Sequence, residues 1–470
     1  GRRRQKRVPA VHRRLRYRNR AAPQIQRSPS NQPQVRSRNC GNVLMDFYTI
    51  VTKVLDCIIT ILFILLCLFV LSGCGGSGGN STTSEPVSVP TESDILLSII
   101  GDVDAFILPE SDDYDSIPQD PLNPITKEKV EEGKIIFHDT SVGIGKIPEL
   151  NGTFSCASCH NAPSGFKSGI AQGIGEGGVG EGSNRVLADI CLECDGYDIE
   201  LDVDVQPIAS PTIVNVAYQE VMLWNGQFGN SPDGIINAGI DPAILMTEDT
   251  PKQNNSRQWS GVETQAAAAI GVHRLTGIED VTSAAQSMAA YERTVLTNRA
   301  PFQKWLRGDK TAMTDNQLKG AQLFFGDAGC SNCHTGPALS SRQYAPADEV
   351  FMAVGFADLD AMNFIVGEVS ENVRKGRGGF TKQDLDNYKF KIPTLYNLRD
   401  TNIFGHGASF ASVRQVVEYK NNAIPQADIP TEYLDYRFTP LGLTEEEIDI
   451  LVDFLENSLY DTELNRYSPQ

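Results

Sequence analysis

The chain is poor in the features that mark several common protein classes. Basic residues become scarce after the first 73 positions. Those positions hold 14 of the 41 Lys and Arg but only two, Asp46 and Asp56, of the 59 Asp and Glu. The strongly acidic remainder argues against a nucleic-acid partner and against docking on anionic lipid. It suits a small neutral substrate or a basic protein partner. Cysteines number ten, too few and too scattered for a disulfide scaffold. The one extended apolar run, Cys57 to Val70, has ~15 residues against the ~20 that span a bilayer. Strand-like alternation is sparse. With 470 residues there is room for two or three domains, each with its own core.

Four of the ten cysteines fall in two pentapeptides, Cys156-Ala157-Ser158-Cys159-His160 and Cys330-Ser331-Asn332-Cys333-His334. A single copy of this spacing also suits a disulfide or part of a zinc site. Two copies in a chain with an export signal read as attachment sites for c-type haem. The paired thiols add across the haem vinyl groups, and the short loop delivers the next histidine to the iron as axial ligand.

Residues 1–44 are rich in Arg, Pro, Gln and Ser and lack apolar periodicity. A basic RNA-binding arm is the sharper reading; a disordered or upstream non-native segment is the plainer and preferred one. From Met45 a signal sequence begins, with Lys53, the apolar run and Leu71-Ser72-Gly73-Cys74. That tetrapeptide resembles the lipobox of bacterial lipoproteins, so 45–74 reads as a lipoprotein signal peptide ending at a lipidated Cys74. An uncleaved anchor is the rival. Either way the body is expected on the periplasmic side of a bacterial membrane, lipid-anchored, where haem can be attached to thiols. Residues 75–120 read as a flexible acidic tether, Gly/Ser-rich at first, with the compact body starting near Pro121.

The first haem segment is placed at 121–299 and the second at 300–470. Gly169 to Gly182 form a glycine-rich loop that permits close backbone approach to a flat cofactor. Cys191 and Cys194 lack a following histidine; a local disulfide is the default for an exported protein. The acids Asp195, Asp198, Glu200, Asp202 and Asp204 fit no EF-hand loop and read as a solvated edge. Residues 262–273 and 280–298 have helical spacing, with Met288 and Tyr291 as core residues. Thr314-x-x-Gln317, Ser412-x-x-Gln415 and Thr444-x-x-Glu447 are helix-capping signals. The pattern is mainly α and loop-rich.

Several segments then read together: PLNPITKEKVEEGKIIF (121–137), FSCASCHNAPSGF (154–166), PTIVNVAYQEVMLWNG (211–226), AAYERTVLTNRAPFQKWLRGDKTAM (289–313), KGAQLFFGDAGCSNCHTGP (319–337), YKFKIPTLYNLRDTNIFGHGASFASVRQVVEYKN (388–421) and LTEEEIDILVDFL (443–455). Together they resemble the bacterial di-haem cytochrome c peroxidase family, which includes the MauG-like enzymes. The resemblance implies two cytochrome c-like haem domains packed face to face. The haem at His160 would react with hydrogen peroxide. The haem at His334 would receive electrons from a small donor protein, a cytochrome c or cupredoxin. Trp224 matches the tryptophan between the haems.

The departures from the family pattern are specific. The family histidine that closes the resting first haem is replaced by Glu176, and no histidine occurs between His160 and His273. The first iron is therefore expected to keep an open position. Gln265 matches the distal glutamine, whereas the distal glutamate has no match. His273 is expected to replace it as general acid/base, with Arg274 polarising the O–O bond. Aligning His406 on the family motif puts Lys420 where a methionine or tyrosine ligates the second iron, with Tyr419 beside it. His406 itself is expected to bond a haem propionate or order the domain interface. An interdomain calcium is left open: Thr401 fits one ligand, but the asparagine expected at Ala209 is missing. A homodimer is also left open. The function implied is peroxide reduction. The alternatives are a MauG-like oxidase acting on a protein or organic substrate, and a plain electron-transfer cytochrome.

Overall fold

The computed structural model describes residues 89–189, 202–229, 237, 240, 257–341, 345–360, 364–365 and 367–469. The basic stretch 1–44, the segment 45–74 with Cys74, and the Cys191/Cys194 pair lie outside them. Ser88–Gln470 forms one compact unit. Among the described residues no helix is long and apolar enough to cross a membrane.

In chain order the main helices are α1 (Glu92–Ile100), α2 (Lys127–His138), α3 (Gly261–Val272), α4 (Val281–Arg293), α5 (Asp315–Phe325), α6 (Val413–Asn422) and α7 (Glu445–Asp453). The strands described are two-residue antiparallel pairs, Gly178–Val179 with Val186–Leu187 and Phe351–Met352 with Phe390–Lys391. The unit is thus mainly helical and loop-rich. The capping signals act as the sequence implies. Thr314 and Thr444 form reciprocal boxes with Gln317 and Glu447, and the Ser412 side chain accepts from Gln415 N. Each cap satisfies backbone donors that the first helical turn leaves unpaired.

The tether expectation fails for residues 89–120, and the compact body begins well before Pro121. Helix α1 is capped by Thr91 and buries Leu96 completely; Leu108 and Ile117 are buried too. Trp305 Nε1 donates to Ser93 Oγ at 2.9 Å, and Gln322 Nε2 donates to Glu92 O at 2.9 Å. Acidic and Pro-punctuated composition masked these few deeply buried apolar positions.

The structure repeats itself. In each half an opening helix crosses a closing helix: α2 packs on α4, and α5 packs on α7. Both crossings are made close by a glycine. A Cβ at Gly133 would lie 1.9 Å from Ser287 O, and one at Gly320 would lie 2.2 Å from Ile450 O. Each half also carries the sequence Pro-Thr-x-x-Asn, at 211–215 and 393–397. The two asparagines, Asn215 and Asn397, both take the left-handed conformation, with φ of 56° and 54°. Asn215 N donates to Val295 O and Asn397 N to Leu459 O. Asn215 Oδ1 accepts from Thr297 N, and Asn397 Oδ1 accepts from Asp461 N, both at 3.0 Å. Each asparagine therefore ties the middle of its half to the segment after the closing helix.

The halves meet face to face through this same element. Ala209 N donates to His406 O at 2.9 Å, and Lys391 N donates to Trp224 O at 2.8 Å. Ala209 and Lys391 each lie two residues before their proline; Trp224 and His406 each lie nine residues after their asparagine. The interface thus exchanges equivalent hydrogen bonds in both directions, the pattern of a local two-fold axis. One continuous hydrophobic core links the halves, from Phe137, Phe166 and Tyr291 in the first to Phe324, Trp305 and Phe454 in the second.

Candidate functional site

Both pentapeptides are held alike. Cys156–Cys159 form a single helical turn capped by Ser155, and Cys330–Asn332 a tighter turn. His160 N donates to Cys156 O at 3.0 Å, and His334 N to Cys330 O at 2.9 Å. All four thiols are free. Burial pushes those of Cys156, Cys159 and Cys330 up to about 12 and raises that of Cys333 as well. These are not exposed, acidic redox thiols.

Each histidine hands one ring nitrogen to backbone carbonyls. His160 Nδ1 lies 3.2 Å from Phe166 O, with Pro211 O contributing in the same sense. His334 Nδ1 lies 3.2 Å from Leu339 O and 3.1 Å from Pro393 O. The prolines are those of the repeated Pro-Thr-x-x-Asn. A carbonyl at Nδ1 fixes the proton there and leaves the Nε2 lone pair for a metal. Burial lowers both imidazoles to about 4, so each stays neutral, as a ligand must.

Beside the second motif lies a cavity of about 810 Å³, lined among others by Cys330, Cys333, His334, Trp224, His406 and Lys420. That volume lies within the ~300–1,000 Å³ typical of cofactor sites. Its charge also fits a haem with two propionates. Lys167, Lys391 and Lys420 line it, and no ion pair to a carboxylate joins any of the three among the described residues. Lys167 Nζ donates to Ile403 O at 2.8 Å, and Lys391 Nζ donates to Val221 O at 2.8 Å and to Gln219. Desolvation lowers Lys167 to about 8 and Lys391 to about 7. Asp358, Glu371 and Asp428 line the same cavity, but none is ion-paired to these lysines among the described residues, so an anionic ligand would offset the desolvation of Lys391 and of the half-buried Lys167 and Lys420.

Lys420 reaches this cavity from α6. Its Nζ sits 5.3 Å from the Phe356 ring and 5.2 Å from the Phe438 ring. Burial lowers it to about 8, while Cys333, Cys330 and the Asp435 carboxylate act in the opposite sense. Tyr419 is buried, and its hydroxyl is used by Val354 O. Met352 also lines the cavity. His406 is 3% exposed, stacks on Phe390 at 3.6 Å, and has Nε2 3.3 Å from Asp358 Oδ1. Trp224 faces His406 edge-on at 6.4 Å, and its Nε1 donates to Ala209 O at 2.7 Å. The two residues that the repeat makes equivalent are therefore in contact at the interface.

Around the first motif, Gln265 is half-buried on α3. His273 caps the end of α3, its N donating to Ala269 O. Its Nδ1 lies 2.7 Å from Asp204 Oδ2. Arg274 does not stand free to polarise a substrate: its Nη1 donates to Glu176 Oε2 at 2.5 Å and to Asp202 O. Glu176 is fully buried and also accepts from Ile147 N. The solvated-edge expectation is corrected for Asp204, which is 9% exposed and bonded to His273. Asp195, Asp198 and Glu200 lie outside the described residues. The glycine loop is close-packed, but against side chains. A Cβ at Gly173 would lie 3.1 Å from Cys159 Sγ, and one at Gly175 would lie 2.1 Å from Asp204 Oδ2. No group of three or more His, Cys, Asp or Glu able to hold a metal occurs among the described residues.

Two elements escaped the sequence reading. The Pro-Thr-x-x-Asn repeat was visible as an internal self-match. The Asp204–His273 pair joins residues 69 apart and left no local signal.

Two unbridged Cys-x-x-Cys-His loops, each with its histidine set for iron, in one helical unit of repeated design define a di-haem c-type protein. The family model described as "Di-haem cytochrome c peroxidase" matches residues 127–311. The chain is 26% identical over 353 residues to the methylamine utilization protein MauG of Methylorubrum extorquens, covering 73% of this chain and 81% of that one. It is 27% identical over 369 residues to the cytochrome-c peroxidase IdrP1 of Denitromonas iodatirespirans, covering 72% and 83%. A solved MauG-like protein associated with microbial copper homeostasis shares the fold, with a TM-score of 0.52 and 20% identity over 77% of this chain and 96% of that one. The chain belongs to the di-haem cytochrome c peroxidase and MauG family.

Proposed function

We propose that the protein reduces hydrogen peroxide to water, taking two electrons and two protons per peroxide, with the electrons supplied by a small redox donor protein. The observation that carries this reading is the unlike equipment of two otherwise repeated sites. Both have the thiol pair and the carbonyl-set histidine. At the second, the Lys420 amine also faces the cavity. Ser260 stands at the N-cap position of α3, without a side-chain cap bond, and Ser412 at that of α6. Counting eight residues from each cap reaches Ala268 and Lys420. A methyl group cannot ligate, whereas an amine on that face can.

When bound, haem supplies an iron that changes oxidation state and can accept a peroxide oxygen at a free face. The chain does the rest. His160 and His334 would give the iron its nitrogen donors, and the four cysteines would hold the groups covalently. Lys420 would be the second donor at the His334 site, where a nitrogen ligand would set a lower potential than a thioether. Trp224, pinned by Ala209 and touching His406, is the residue through which charge crosses the interface. His273 moves the proton that O–O cleavage requires, and Gln265 offers a hydrogen bond on the same side. The acidic exterior suits a basic donor.

Turnover of a reduced small cytochrome with peroxide tests the activity. Absence of turnover, with oxidation of an organic or protein substrate instead, moves the assignment to a MauG-like oxidase. The missing thioether at position 420 favours that second reading. Electron paramagnetic resonance tests the ligand assignment. Lys420→Ala should alter the low-spin signal, Met352→Leu should not, and Ala268→Lys should convert the first site to low spin and block peroxide. We also propose that the body is exported and tethered through Cys74; Cys74→Ala should release it from the membrane fraction.

A further inference from the structure

The loop that carries Asp204 is built onto the first site. Gly175 N donates to Asp204 O at 2.7 Å, Asp204 N to Glu176 O at 2.9 Å, and Gln206 N to Gly173 O at 2.8 Å. Residues 204–206 are therefore laddered onto the glycine loop, and Gly173 of that loop packs against Cys159. From the other side comes the end of α3. Arg274, in the left-handed conformation at φ 55°, locks to buried Glu176. Between these anchors His273 Nδ1 meets Asp204 Oδ2 at 2.7 Å. Gln206 Nε2 donates to Asp204 Oδ1 at 3.2 Å and lies 3.5 Å from His273 Nδ1. The ladder and the Arg274–Glu176 pair thus anchor the two backbone segments that bring these side chains together.

We propose that Asp204 is the positioning residue of His273: it holds the proton on Nδ1, so that Nε2 is the nitrogen that takes a proton from peroxide and returns it to the departing oxygen. The proposal rests on His273 being the acid/base at the first site. The proton balances within the ring. Nε2 would accept the proton of one peroxide oxygen, the Asp204 carboxylate would stabilise the imidazolium, and the same proton would leave with the other oxygen as water, the two electrons of the O–O cleavage coming from the haem-loaded protein and being restored by the donor protein. Asp204 acts only through this hydrogen bond and is not the base. Isolated imidazole would divide its proton between the two nitrogens; the carboxylate removes that ambiguity.

The titratable groups facing His273 are Asp204, Arg274 and the neutral His160. Burial and Arg274 push its proton affinity down, but Asp204 outweighs them and the net shift is upward. The neutral, base-competent form therefore gains ground as pH rises through a value higher than imidazole's ordinary one. Removing the carboxylate moves that limb to lower pH.

Cyanide reports this without turnover, because hydrogen cyanide must lose its proton to a nearby base as it binds ferric iron. The experiment measures the cyanide association rate of the haem-loaded protein against pH, for wild type, Asp204→Asn, His273→Gln and Gly175→Ala. Asp204→Asn should lower the plateau roughly 10- to 100-fold and shift the acid limb to lower pH. Gly175→Ala should act in the same way, since its Cβ would displace the carboxylate. His273→Gln should lose the limb altogether. If His273→Gln binds cyanide normally, the assignment of His273 falls and this proposal with it. If His273→Gln is slow but Asp204→Asn keeps the wild-type rate and limb, His273 stands and the role of Asp204 is overturned. A lower melting temperature or haem content in Asp204→Asn, with normal rates per haem, likewise leaves Asp204 a structural residue and overturns the proposal.

Discussion

Replacing Glu263 by Gln should destabilise the first half severely, and the structure sets the size. Glu263 is fully buried in α3 and receives Arg293 Nε at 3.0 Å and Nη2 at 2.7 Å from α4, with Asn123 Nδ2 at 3.2 Å as a third donor. Arg293 is itself 3% exposed. The substitution keeps the shape but strands a buried guanidinium, a loss of about 3–5 kcal/mol. Unfolding entropy near ~2.1 cal/mol/K per residue, over the roughly 380 residues of Ser88–Gln470, gives about 0.8 kcal/mol per degree. The expected fall in melting temperature is therefore about 4–6 °C by calorimetry of the holoprotein. Glu292 is the neighbouring carboxyl, held protonated up to about 8 by burial and by the Glu263 charge. In Glu263→Gln it becomes the remaining counter-ion, so part of the lost stability should return as pH rises. A drop under one degree, or one that does not change with pH, refutes the account of this pair as a coupled buried cluster. The apolar double replacement Glu263→Leu with Arg293→Met should recover most of the stability that either single change loses.

Other outcomes follow from the same packing. Glu292→Gln should flatten the pH dependence of stability. Its folded value of about 8 exceeds the ordinary 4.5, so the native state holds an extra proton in that window. Wild-type stability then falls by roughly 3–5 kcal/mol as pH rises from 4.5 to 8, relative to the variant, and levels off above it. Gly133→Ala and Gly320→Ala should each cost about 1–3 kcal/mol despite the better helix propensity of alanine, because each Cβ meets a backbone carbonyl that cannot rotate away. Urea midpoints check this, and equal or greater stability in both variants removes the close-crossing argument. Thr394→Val should lower stability by about 1 kcal/mol by breaking the 2.6 Å bond from Thr394 Oγ1 to Ala338 O, and Thr212→Val should do the same through the 2.7 Å bond to Gly165 O.

The residues of the haem motifs, the helix caps and the mainly helical class were legible in the chain because each is a local pattern. Cys-x-x-Cys-His fixes its chemistry within five positions, and Thr-x-x-Gln or Thr-x-x-Glu satisfies donors within one helical turn. Lys420 was legible as a position by its distance from His406, but only the fold turns α6 so that its amine enters the cavity. Residues 89–120 misled because their acidic surface outweighs a few anchors, and burial of Leu96, Leu108 and Ile117 is decided by the helices they land on. Arg274 looked catalytic beside His273, yet adjacent residues leave a helix end in different directions, and one meets Glu176 while the other meets Asp204. Sequence alone, then, determined what the chain can hold and how its segments start and stop. Tertiary structure decided which charge faces which. That choice depends on residues far apart in the chain brought within 3 Å, where burial makes an ion pair strong or a lone charge costly.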